Sequence, residues 1–333
     1  MRVLVTGASG YVGRVVVGQL LRRGHEPVGL AHRAKPDIEG VIWRHGDVRD
    51  IASLRAATED VDAVIHLSAL AGVRKAFERP VRYYQTNAAG VLNLLEVLSE
   101  RRAGPSRLVA ASTVSVYGVP VRQPITEETP ADPRNPYAAS KVAAEQAIGW
   151  TAAAGAIGAV TLRVANVAGG VGPHGDRDDS RLITRACAVA AGRIPELDVY
   201  GDGGAVRDFV HVLDAAGAFV AAVAECEPGH HRVFNIGATA ARVTDVVAMT
   251  RSVTGRDVPV RFHPSHPGEV RELRTDTSKA REELSWRPRY SNLARLVADQ
   301  WHAEIGPRPA APPSMTSCPS VTPNQPTPQR SVP

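Results

Sequence analysis

A tyrosine and a lysine four residues apart predict acid–base chemistry on an alcohol. Tyr137 and Lys141 stand in the run YAASK, which follows Pro133 and Pro136. Residues at positions i and i+4 share one face of a helix, so the phenol and the ammonium would lie together. The ammonium is expected to stabilise the phenolate and lower the pKa of Tyr137. The same spacing also occurs on solvated helix faces, so the chemical interpretation depends on the rest of the chain.

A glycine-rich turn near the N-terminus indicates a nucleotide cofactor. Gly7, Gly10 and Gly13 fall in TGASGYVG, between a strand expected at 2–6 and a helix expected at 12–23. Glycine permits a tight turn and a close approach of the backbone to a pyrophosphate, and the first helical turn then presents free N–H groups to the phosphates. A merely structural turn is the alternative, but the position between the first strand and the first helix favours a cofactor site.

The residues after the second expected strand, 27–31, leave NAD and NADP open. An NAD site usually has an acidic residue about 20 positions beyond the glycines, which binds the adenosine ribose. This chain has Ala31 there, followed by His32 and Arg33. Arg33, with His32, could bind the 2′-phosphate of NADP, or both could be ordinary surface charges. Asp47, after the presumed third strand, could accept a hydrogen bond from the adenine amino group.

Short apolar runs that alternate with helical segments predict the elements that would position these groups. Further strands are expected at 63–67 and 108–111, and helices at 51–57 and 88–100. This order predicts parallel βαβ units, with helices on both faces of one sheet. Thr113 follows the fifth strand, where sheets of this kind bind substrates. Its hydroxyl could bond the same substrate hydroxyl as the tyrosine of YAASK; a buried, internally bonded threonine is the alternative.

The composition excludes several classes of protein. Of the 333 residues, 44% are hydrophobic and 22% are charged, which excludes a wholly disordered chain. Cys187, Cys226 and Cys318 form no CxxC pair. This pattern predicts no disulfide framework and no metal site, and it fits a cytoplasmic location. No apolar run approaches the roughly 18 residues of a membrane span. The net charge of +5 is scattered along the chain, so a nucleic-acid or membrane partner is not expected.

Seven motifs then occur in the order of a known family. They are TGASGYVG at 6–13, GDVRD at 46–50, STVSVYG at 112–118, YAASK at 137–141, LRVANVAGG at 162–170, YGDGGAVRDFVHVLD at 200–214 and TDTSKAREELSWRP at 275–288. To about residue 302 the chain resembles the extended short-chain dehydrogenase/reductases that act on nucleotide sugars, the epimerase/dehydratase family. Within that family it is most similar to the UDP-galactose (UDP-glucose) 4-epimerase type.

The resemblance implies roles for the residues that match these motifs. Tyr137 would be the acid–base group, with Lys141 and Thr113 as its partners. With the candidates named above, the cofactor would be bound by Gly7, Ser9, Gly10, Tyr11, Val12, His32, Arg33, Asp47, Val48, Leu67, Ala69, Asn87, Tyr137 and Lys141. A nucleotide-diphosphate sugar would contact Thr113, Asn166, Arg181, Arg207 and Glu269. Arg163 is expected to be structural. The family often has Arg-x-Gly-Asp where this chain has HPGE at 266–269, which leaves the nucleotide of the substrate open.

The residues after Thr113 reduce the number of reactions that the chain could catalyse. Related 4,6-dehydratases usually have a TDEVYG-like run, whose carboxylates carry out the elimination, whereas this chain has TVSVYG. Dehydration is therefore not expected, and hydride transfer remains. Ala31 and Arg33 favour an NADPH-dependent 4-keto-sugar reductase, while the motifs as a whole favour a 4-epimerase that works through a 4-keto intermediate. We expect the epimerase; a non-catalytic cofactor-binding module is a third possibility, which the intact YAASK run disfavours.

The resemblance also implies the architecture. We expect an α/β fold with a doubly wound parallel (Rossmann) sheet and a smaller, interleaved C-terminal substrate domain. The cofactor domain would comprise 1–170 with a return segment at 208–240, and the nucleotide-sugar domain 171–207 and 241–303. The proline-rich tail, 306–333, is expected to be disordered. Helices at 88–100 and 138–153 would form a homodimer interface.

Overall fold

The computed structural model describes residues 1–32, 38–101, 106–265 and 270–306. Arg33, Glu269 and all of the predicted tail but its first residue lie outside these ranges. The strands are β1 (Arg2–Thr6), β2 (Glu26–Ala31), β3 (Ile42–His45), β4 (Ala63–His66), β5 (Ser106–Thr113), β6 (Ile157–Val164), β7 (Asn166–Ala168), β8 (Gly170–Val171), β9 (His174–Gly175), β10 (Leu197–Tyr200), β11 (Val206–His211), β12 (His231–Ile236), β13 (Thr239–Arg242), β14 (Val260–His263) and β15 (Glu272–Leu273).

The helices alternate with these strands. They are α1 (Tyr11–Arg22), α2 (Ile51–Thr58), α3 (Val73–Glu78), α4 (Pro80–Tyr83), α5 (Ala89–Ser99), α6 (Pro136–Ala153), α7 (Leu182–Ala190), α8 (Val212–Ala222), α9 (Val243–Thr254), α10 (Ser278–Glu283) and α11 (Leu293–Ile305). A π-helical segment, Tyr84–Ala88, joins α4 to α5, and a 3₁₀ turn, Val114–Tyr117, follows β5. None of the helices in the described ranges is long and apolar enough to cross a membrane.

The largest sheet has seven parallel strands in the order β12-β6-β5-β4-β1-β2-β3. The strand order reverses between β1 and β4, which is where open α/β sheets bind ligands at their carboxyl ends. This topology confirms the predicted doubly wound α/β fold.

Both faces of this sheet are covered, which explains the continuous apolar runs of its strands. Val3 and Val5 of β1 pack on one face with residues of α1 and α8, such as Val16 and Phe219. Leu4, between them, packs on the opposite face with residues of α2, α5 and α6. Successive side chains of a strand point to opposite faces, so each strand needs apolar residues at every position.

The remaining elements form a smaller layer around a separate apolar cluster. Strand β11 pairs with β7, β13 and β15, β10 pairs with β14, and β8 with β9. Helices α7, α9 and α11 pack together through residues that include Ile183, Val246 and Leu296. The chain leaves the large sheet after β6 and returns to it with α8 and β12, so the two layers interleave. The predicted domain boundaries themselves stay a prediction.

Candidate active site

Two neighbouring cavities open at the carboxyl ends of the central strands. The larger one, of about 690 Å³, contains Tyr137, Lys141 and Thr113 in its wall. The smaller one, of about 380 Å³, extends towards the end of β2. Both are lined by Gly7, Gly10, Leu67 and Ala69. The glycine-rich turn therefore lies between a pocket at the outer strands and a cleft that holds the predicted catalytic residues.

The glycine-rich turn fits the pyrophosphate of a dinucleotide. Gly7 has φ +70°, and a Cβ on Gly13 would lie 2.1 Å from the carbonyl oxygen of Gly7, so no larger residue fits. Gly10 caps α1 without a side-chain hydrogen bond. The first N–H groups of α1, on Tyr11 and Val12 in the wall of the larger cleft, consequently remain free for phosphate oxygens.

The smaller pocket fits the adenosine end of a cofactor. Ser9, His32, Asp47 and Val48 lie in its wall. Ala31 ends β2 and is buried, so the carboxyl end of this strand supplies no carboxylate to the pocket. Asp47 from the loop after β3 comes instead to His32, with Oδ2 3.4 Å from Nδ1. The Arg49 guanidinium beside Asp47 lowers the pKa of that carboxyl to about 2, so Asp47 stays ionised in an ion pair with Arg49, which lines the same pocket.

Local capping places the catalytic tyrosine at the start of α6. Asn135 caps this helix by accepting a hydrogen bond from the N–H of Ala138 at 2.8 Å, and Pro136 occupies its first position. Tyr137 is therefore the second residue of α6. Lys141 follows one turn later and donates from Nζ to the carbonyl oxygen of Ala111, at 2.8 Å.

Thr113 reaches the same place from the sheet. It is the last residue of β5, and its hydroxyl accepts from the N–H of Ser115 at 3.2 Å. The Thr113 side chain also acts on the Tyr137 phenol and opposes the rise of its pKa. The structure thus brings together the three residues that the sequence predicted to be catalytic.

Burial shifts both titratable groups of this trio towards their neutral forms. Burial raises the pKa of Tyr137, against the lowering effects of Thr113 and of the Arg181 guanidinium. It lowers the pKa of Lys141 to about 8, although the Glu145 carboxylate opposes this effect. The expectation that Lys141 lowers the pKa of Tyr137 is therefore wrong, because burial dominates and the positive charge that acts on the phenol is that of Arg181.

The far side of the larger cleft carries the predicted substrate residues. Asn166 and Arg207 line it, and each is held by backbone carbonyls: Asn166 Nδ2 donates to Asp208 at 3.0 Å, and Arg207 Nη1 donates to Val270 at 2.7 Å. Arg181 lines it from the N-terminus of α7, with Nη1 3.3 Å from Asp176 Oδ2. A diphosphate is the type of group that two arginines and an amide can bind.

Asn87 does not line either cavity, contrary to its expected place at the cofactor. It is fully buried in the π-helical segment. Its side chain bonds the N–H and the carbonyl oxygen of Leu70, at 2.8 and 3.0 Å, and donates to Ser140 Oγ at 3.0 Å. Ser140 in turn donates to the carbonyl oxygen of Tyr137. Asn87 therefore fixes the loop that lines the cofactor pocket against the helix of the catalytic tyrosine.

Comparison with known proteins agrees with this geometry. A family model described as the NAD dependent epimerase/dehydratase family matches residues 3–237. The chain belongs to this family. The UDP-glucose 4-epimerase of Streptomyces lividans is 37% identical over 314 residues, covering 90% of this chain and 94% of the relative. The UDP-glucose 4-epimerase of Corynebacterium glutamicum is 36% identical over 314 residues, covering 90% and 95%.

A solved structure extends the likeness to three dimensions. The UDP-glucose-4-epimerase from Stenotrophomonas maltophila, with bound NAD and formylated UDP-arabinopyranose, has a TM-score of 0.85 and 28% identity, covering 91% of this chain and 98% of that one. The motif-based resemblance to the epimerase/dehydratase family is confirmed.

In this member of the epimerase/dehydratase family the cleft also contains residues that sequence reasoning missed. Tyr200 ends β10 and stacks on His263, with ring centroids 5.1 Å apart. Arg74, in the first turn of α3, faces the same ring at 5.6 Å from its centroid. Tyr200 stands in the motif YGDGG, which could have pointed to it. Arg74 lies outside every motif, and no pattern in the sequence indicates it.

Proposed function

We propose that this chain is a nucleotide-sugar 4-epimerase that uses a tightly bound nicotinamide cofactor. The observation that carries the proposal is the meeting of Tyr137, Thr113 and Lys141 in the cleft that shares its wall with the glycine-rich turn. This arrangement suits an alcohol that loses a proton to a phenol and a hydride to a cofactor in the same place. The relatives described above are named as 4-epimerases, in agreement with this reaction.

Bound NAD would supply the hydride acceptor and, once reduced, the hydride donor. Tyr137 takes the proton of the C4 hydroxyl while C4 loses its hydride, which leaves a 4-keto sugar. Thr113 bonds the phenol and holds the hydroxyl of the sugar in line with it. When the keto sugar presents its other face, C4 regains the hydride and Tyr137 returns the proton, so the sugar is inverted at C4 without net oxidation.

Among the residues that the structure describes, the cleft offers no unpaired carboxyl group for a dehydration. Within the described residues its carboxylates are Asp178 and Asp198. Asp198 is bonded by Arg185 and His263 at 2.8 Å each, and Asp178 accepts from Ser180 at 2.6 Å. Elimination of a hydroxyl needs an acid for the leaving group and a base for a carbon-bound proton. These paired carboxylates support the sequence-based exclusion of dehydratase chemistry.

We propose NAD rather than NADP as the resident cofactor. The carboxylate of Asp47 lies beside His32 at the adenosine end, where it can accept from a ribose hydroxyl. The related enzyme from Stenotrophomonas maltophila is described with bound NAD. A resident, regenerated cofactor also fits an epimerase better than the alternative 4-keto-sugar reductase.

We propose a UDP-hexose as the substrate. Arg207, Arg181 and Asn166 would bind the diphosphate, and Tyr200 lines the same cleft. The nucleotide is taken from the relatives, which are named for UDP-glucose.

We further propose a homodimer through the exposed faces of α3 to α6. Phe77, Val81, Leu92 and Trp150 are 62%, 67%, 53% and 78% exposed. They stand on helices that pack against one another around α6. Large exposed apolar side chains on neighbouring helices are typical of a protein interface.

Two expectations from the sequence are kept as proposals. The cofactor domain comprises 1–170 and 208–240, and the substrate domain 171–207 and 241–303. The protein works in the cytoplasm, since Cys187 and Cys226 are unpaired and buried, and burial raises the pKa of both thiols to about 12.

The experiment that tests the function has two parts. The cofactor is released from the purified protein and identified by mass spectrometry, and UDP-galactose is then offered without added cofactor. We expect NAD in about stoichiometric amount and conversion to UDP-glucose. Conversion of a 4-keto sugar with stoichiometric consumption of NADPH would instead establish the reductase, and bound cofactor with no turnover of any nucleotide sugar would establish a non-catalytic module.

A further inference from the structure

A carboxylate lies buried behind the catalytic trio, on the same helix. Glu145 follows Lys141 by one turn of α6, and its side chain is 9% exposed. The Arg163 guanidinium bonds it through Nη2 to Oε2 at 2.7 Å and through Nε to the same oxygen at 3.1 Å. Ser112 donates its hydroxyl proton to Oε1. Both carboxylate oxygens therefore have donors.

The serine that bonds Glu145 lies on β5 between two residues that contact the catalytic side chains or belong to them. Ser112 stands between Ala111, whose carbonyl oxygen accepts from Lys141 Nζ, and Thr113, whose side chain acts on the Tyr137 phenol. A movement of Glu145 would consequently move the backbone on both sides of Ser112. Glu145 is thus connected to all three catalytic positions without touching the cleft itself.

The partner of Glu145 is fixed from other elements. Arg163 stands on β6 directly opposite Ser112 in the parallel pairing. Its Nη1 donates to the Tyr117 hydroxyl at 2.9 Å, and its Cζ lies 4.8 Å from the centroid of that ring. Tyr117 in turn donates to Asn235 Oδ1 on β12 at 2.7 Å. Buried ion pairs seldom stabilise a fold more than apolar residues of the same volume, so stability alone does not account for this pair.

The charge of Glu145 also acts on Lys141. The Lys141 ammonium is buried, which disfavours the charged form, and the Glu145 carboxylate opposes that effect. His66 is fully buried and its pKa is lowered to about 3, so it stays neutral. Among the described residues, the titratable and charged groups that face this region are Tyr137 on α6, Tyr83 on α4, His66 on β4, Tyr117 in the 3₁₀ turn, Arg163 on β6, Arg181 at the N-terminus of α7 and His231 on β12.

We propose that Glu145 is a positioning residue for the proposed epimerase reaction, on which this inference rests. Through its bonds to Ser112 and Arg163, Glu145 fixes the position of α6 relative to β5. That position brings Tyr137, Thr113 and Lys141 together. The Glu145 carboxylate also stabilises the ammonium form of Lys141.

The protonation of Lys141 can be measured directly because the chain has only four lysines, Lys35, Lys75, Lys141 and Lys279. The purified protein is labelled with ¹³C at lysine Cε, and the signal missing from Lys141→Met assigns Lys141. In Glu145→Gln we expect its titration midpoint to fall by about one pH unit, because an attractive charge is lost. In Glu225→Gln, which removes a carboxylate that pairs with Arg232 at 2.6 Å, the midpoint should not move.

The kinetic readout separates positioning from simple stability. In Glu145→Gln we expect kcat to fall about tenfold to a hundredfold, with KM near that of the wild type and the alkaline limb of the kcat profile moved to lower pH. Glu145→Asp keeps the charge on a shorter side chain. In this variant the alkaline limb of the kcat profile should lie at the wild-type pH, whereas kcat should recover only in part. Glu225→Gln should match the wild type.

An unchanged Lys141 midpoint together with an unchanged kcat in Glu145→Gln, even at reduced thermal stability, would overturn the proposal. A shifted midpoint with wild-type kcat would overturn it too. If Glu145→Gln does not fold, Ser112→Ala serves instead, because it removes only one of the bonds to Glu145. We expect kcat of Ser112→Ala to fall about tenfold. A wild-type kcat in this variant would contradict the proposal. A wild-type protein inactive on every nucleotide sugar would refute the proposed function, while the lysine titration would still test whether Glu145 acts on Lys141.

Discussion

Burial affects the two titratable catalytic residues in opposite directions. It raises the pKa of Tyr137 and lowers that of Lys141. Both shifts disfavour the ion pair of phenolate and ammonium that would be the most reactive form. Thr113 and Arg181 oppose the shift at the tyrosine, and Glu145 opposes it at the lysine. The trio therefore depends on the groups around it for its reactivity.

Removal of the phenolic hydroxyl tests the acid–base role. Tyr137→Phe should lower kcat by about 10²–10⁴, the usual range for a lost acid–base group, without loss of bound cofactor. Tyr84→Phe serves as the control, because Tyr84 is an exposed tyrosine of the neighbouring π-helical segment. Steady-state kinetics on UDP-galactose make the comparison, and near-normal turnover in Tyr137→Phe would remove this residue from the mechanism.

The pKa of Lys141 sets the pH dependence of the reaction. Lys141 holds its proton below pH about 8 and loses it above, so kcat should decline on the alkaline side of that value. Lys141→Arg keeps a cation whose pKa exceeds 12, so the decline should move to higher pH. A pH profile of kcat measures both. A wild-type rate that stays constant to pH 10 would show that the lysine need not be charged.

At the residue scale, the trio could be predicted from the spacing of Tyr137 and Lys141, the nucleotide-binding turn that precedes them, and the place of Thr113 at the end of a recognisable strand. The Glu145–Arg163 pair could not be predicted, because it joins a helix to a strand and forms only when the two elements pack together. The sign of the tyrosine shift was also wrong, because burial cannot be read from a spacing. Arg33 and Glu269 lie outside the described residues and stay predictions.

At the scale of elements, the first turn of α1 carries the strongest constraint. A Cβ on Gly13 would meet the Gly7 carbonyl oxygen at 2.1 Å, whereas one on Gly18, in the same helix, would have its nearest neighbour at 3.9 Å. Gly13→Ala should therefore weaken NAD binding more than tenfold (about 1.4 kcal/mol), and Gly18→Ala should stabilise the fold by about 0.5–1 kcal/mol.

Calorimetric titration with NAD and denaturant unfolding measure these two effects. Gly13→Ala protein that bound NAD as tightly as the wild type would show that the glycine serves packing elsewhere and not the cofactor cradle.

The regular elements were predictable and the irregular ones were not. The buried parallel strands β1, β2, β4 and β5 stand out because both their faces need apolar residues. The strands β7, β8 and β9 span two or three residues each, too few to show any pattern. The π-helical segment has no signal in sequence either, and so the bonds of Asn87 to Leu70 were missed and the residue was placed at the cofactor instead.

At the scale of the whole molecule, the resemblance to the family implied the return of the chain to the large sheet, and in the structure β12 joins that sheet after elements of the smaller layer. Contacts between elements far apart in the chain, such as that of Arg74 with Tyr200, depend on the final packing and have no counterpart in the motifs.

The proposed dimer is tested by a charge on the exposed face of α6. Trp150→Glu places a carboxylate where an apolar side chain is 78% exposed, and it should convert a dimer into a monomer, because an unpaired charge in an apolar interface is costly. Val121→Glu introduces the same charge at a fully exposed valine outside α3 to α6 and should leave the dimer intact. Sedimentation velocity gives the masses. A Trp150→Glu dimer as stable as the wild type would place the interface elsewhere.

The central claim is that the hydride taken from C4 of the sugar returns to C4. UDP-galactose carrying deuterium at C4 is incubated with the purified protein without added cofactor, and the products are followed by NMR together with the absorbance of reduced nicotinamide. We predict UDP-glucose that keeps the deuterium at C4, with no net change in absorbance after the first turnover. Loss of the label to solvent, or conversion only with stoichiometric consumption of NADPH, would contradict the account.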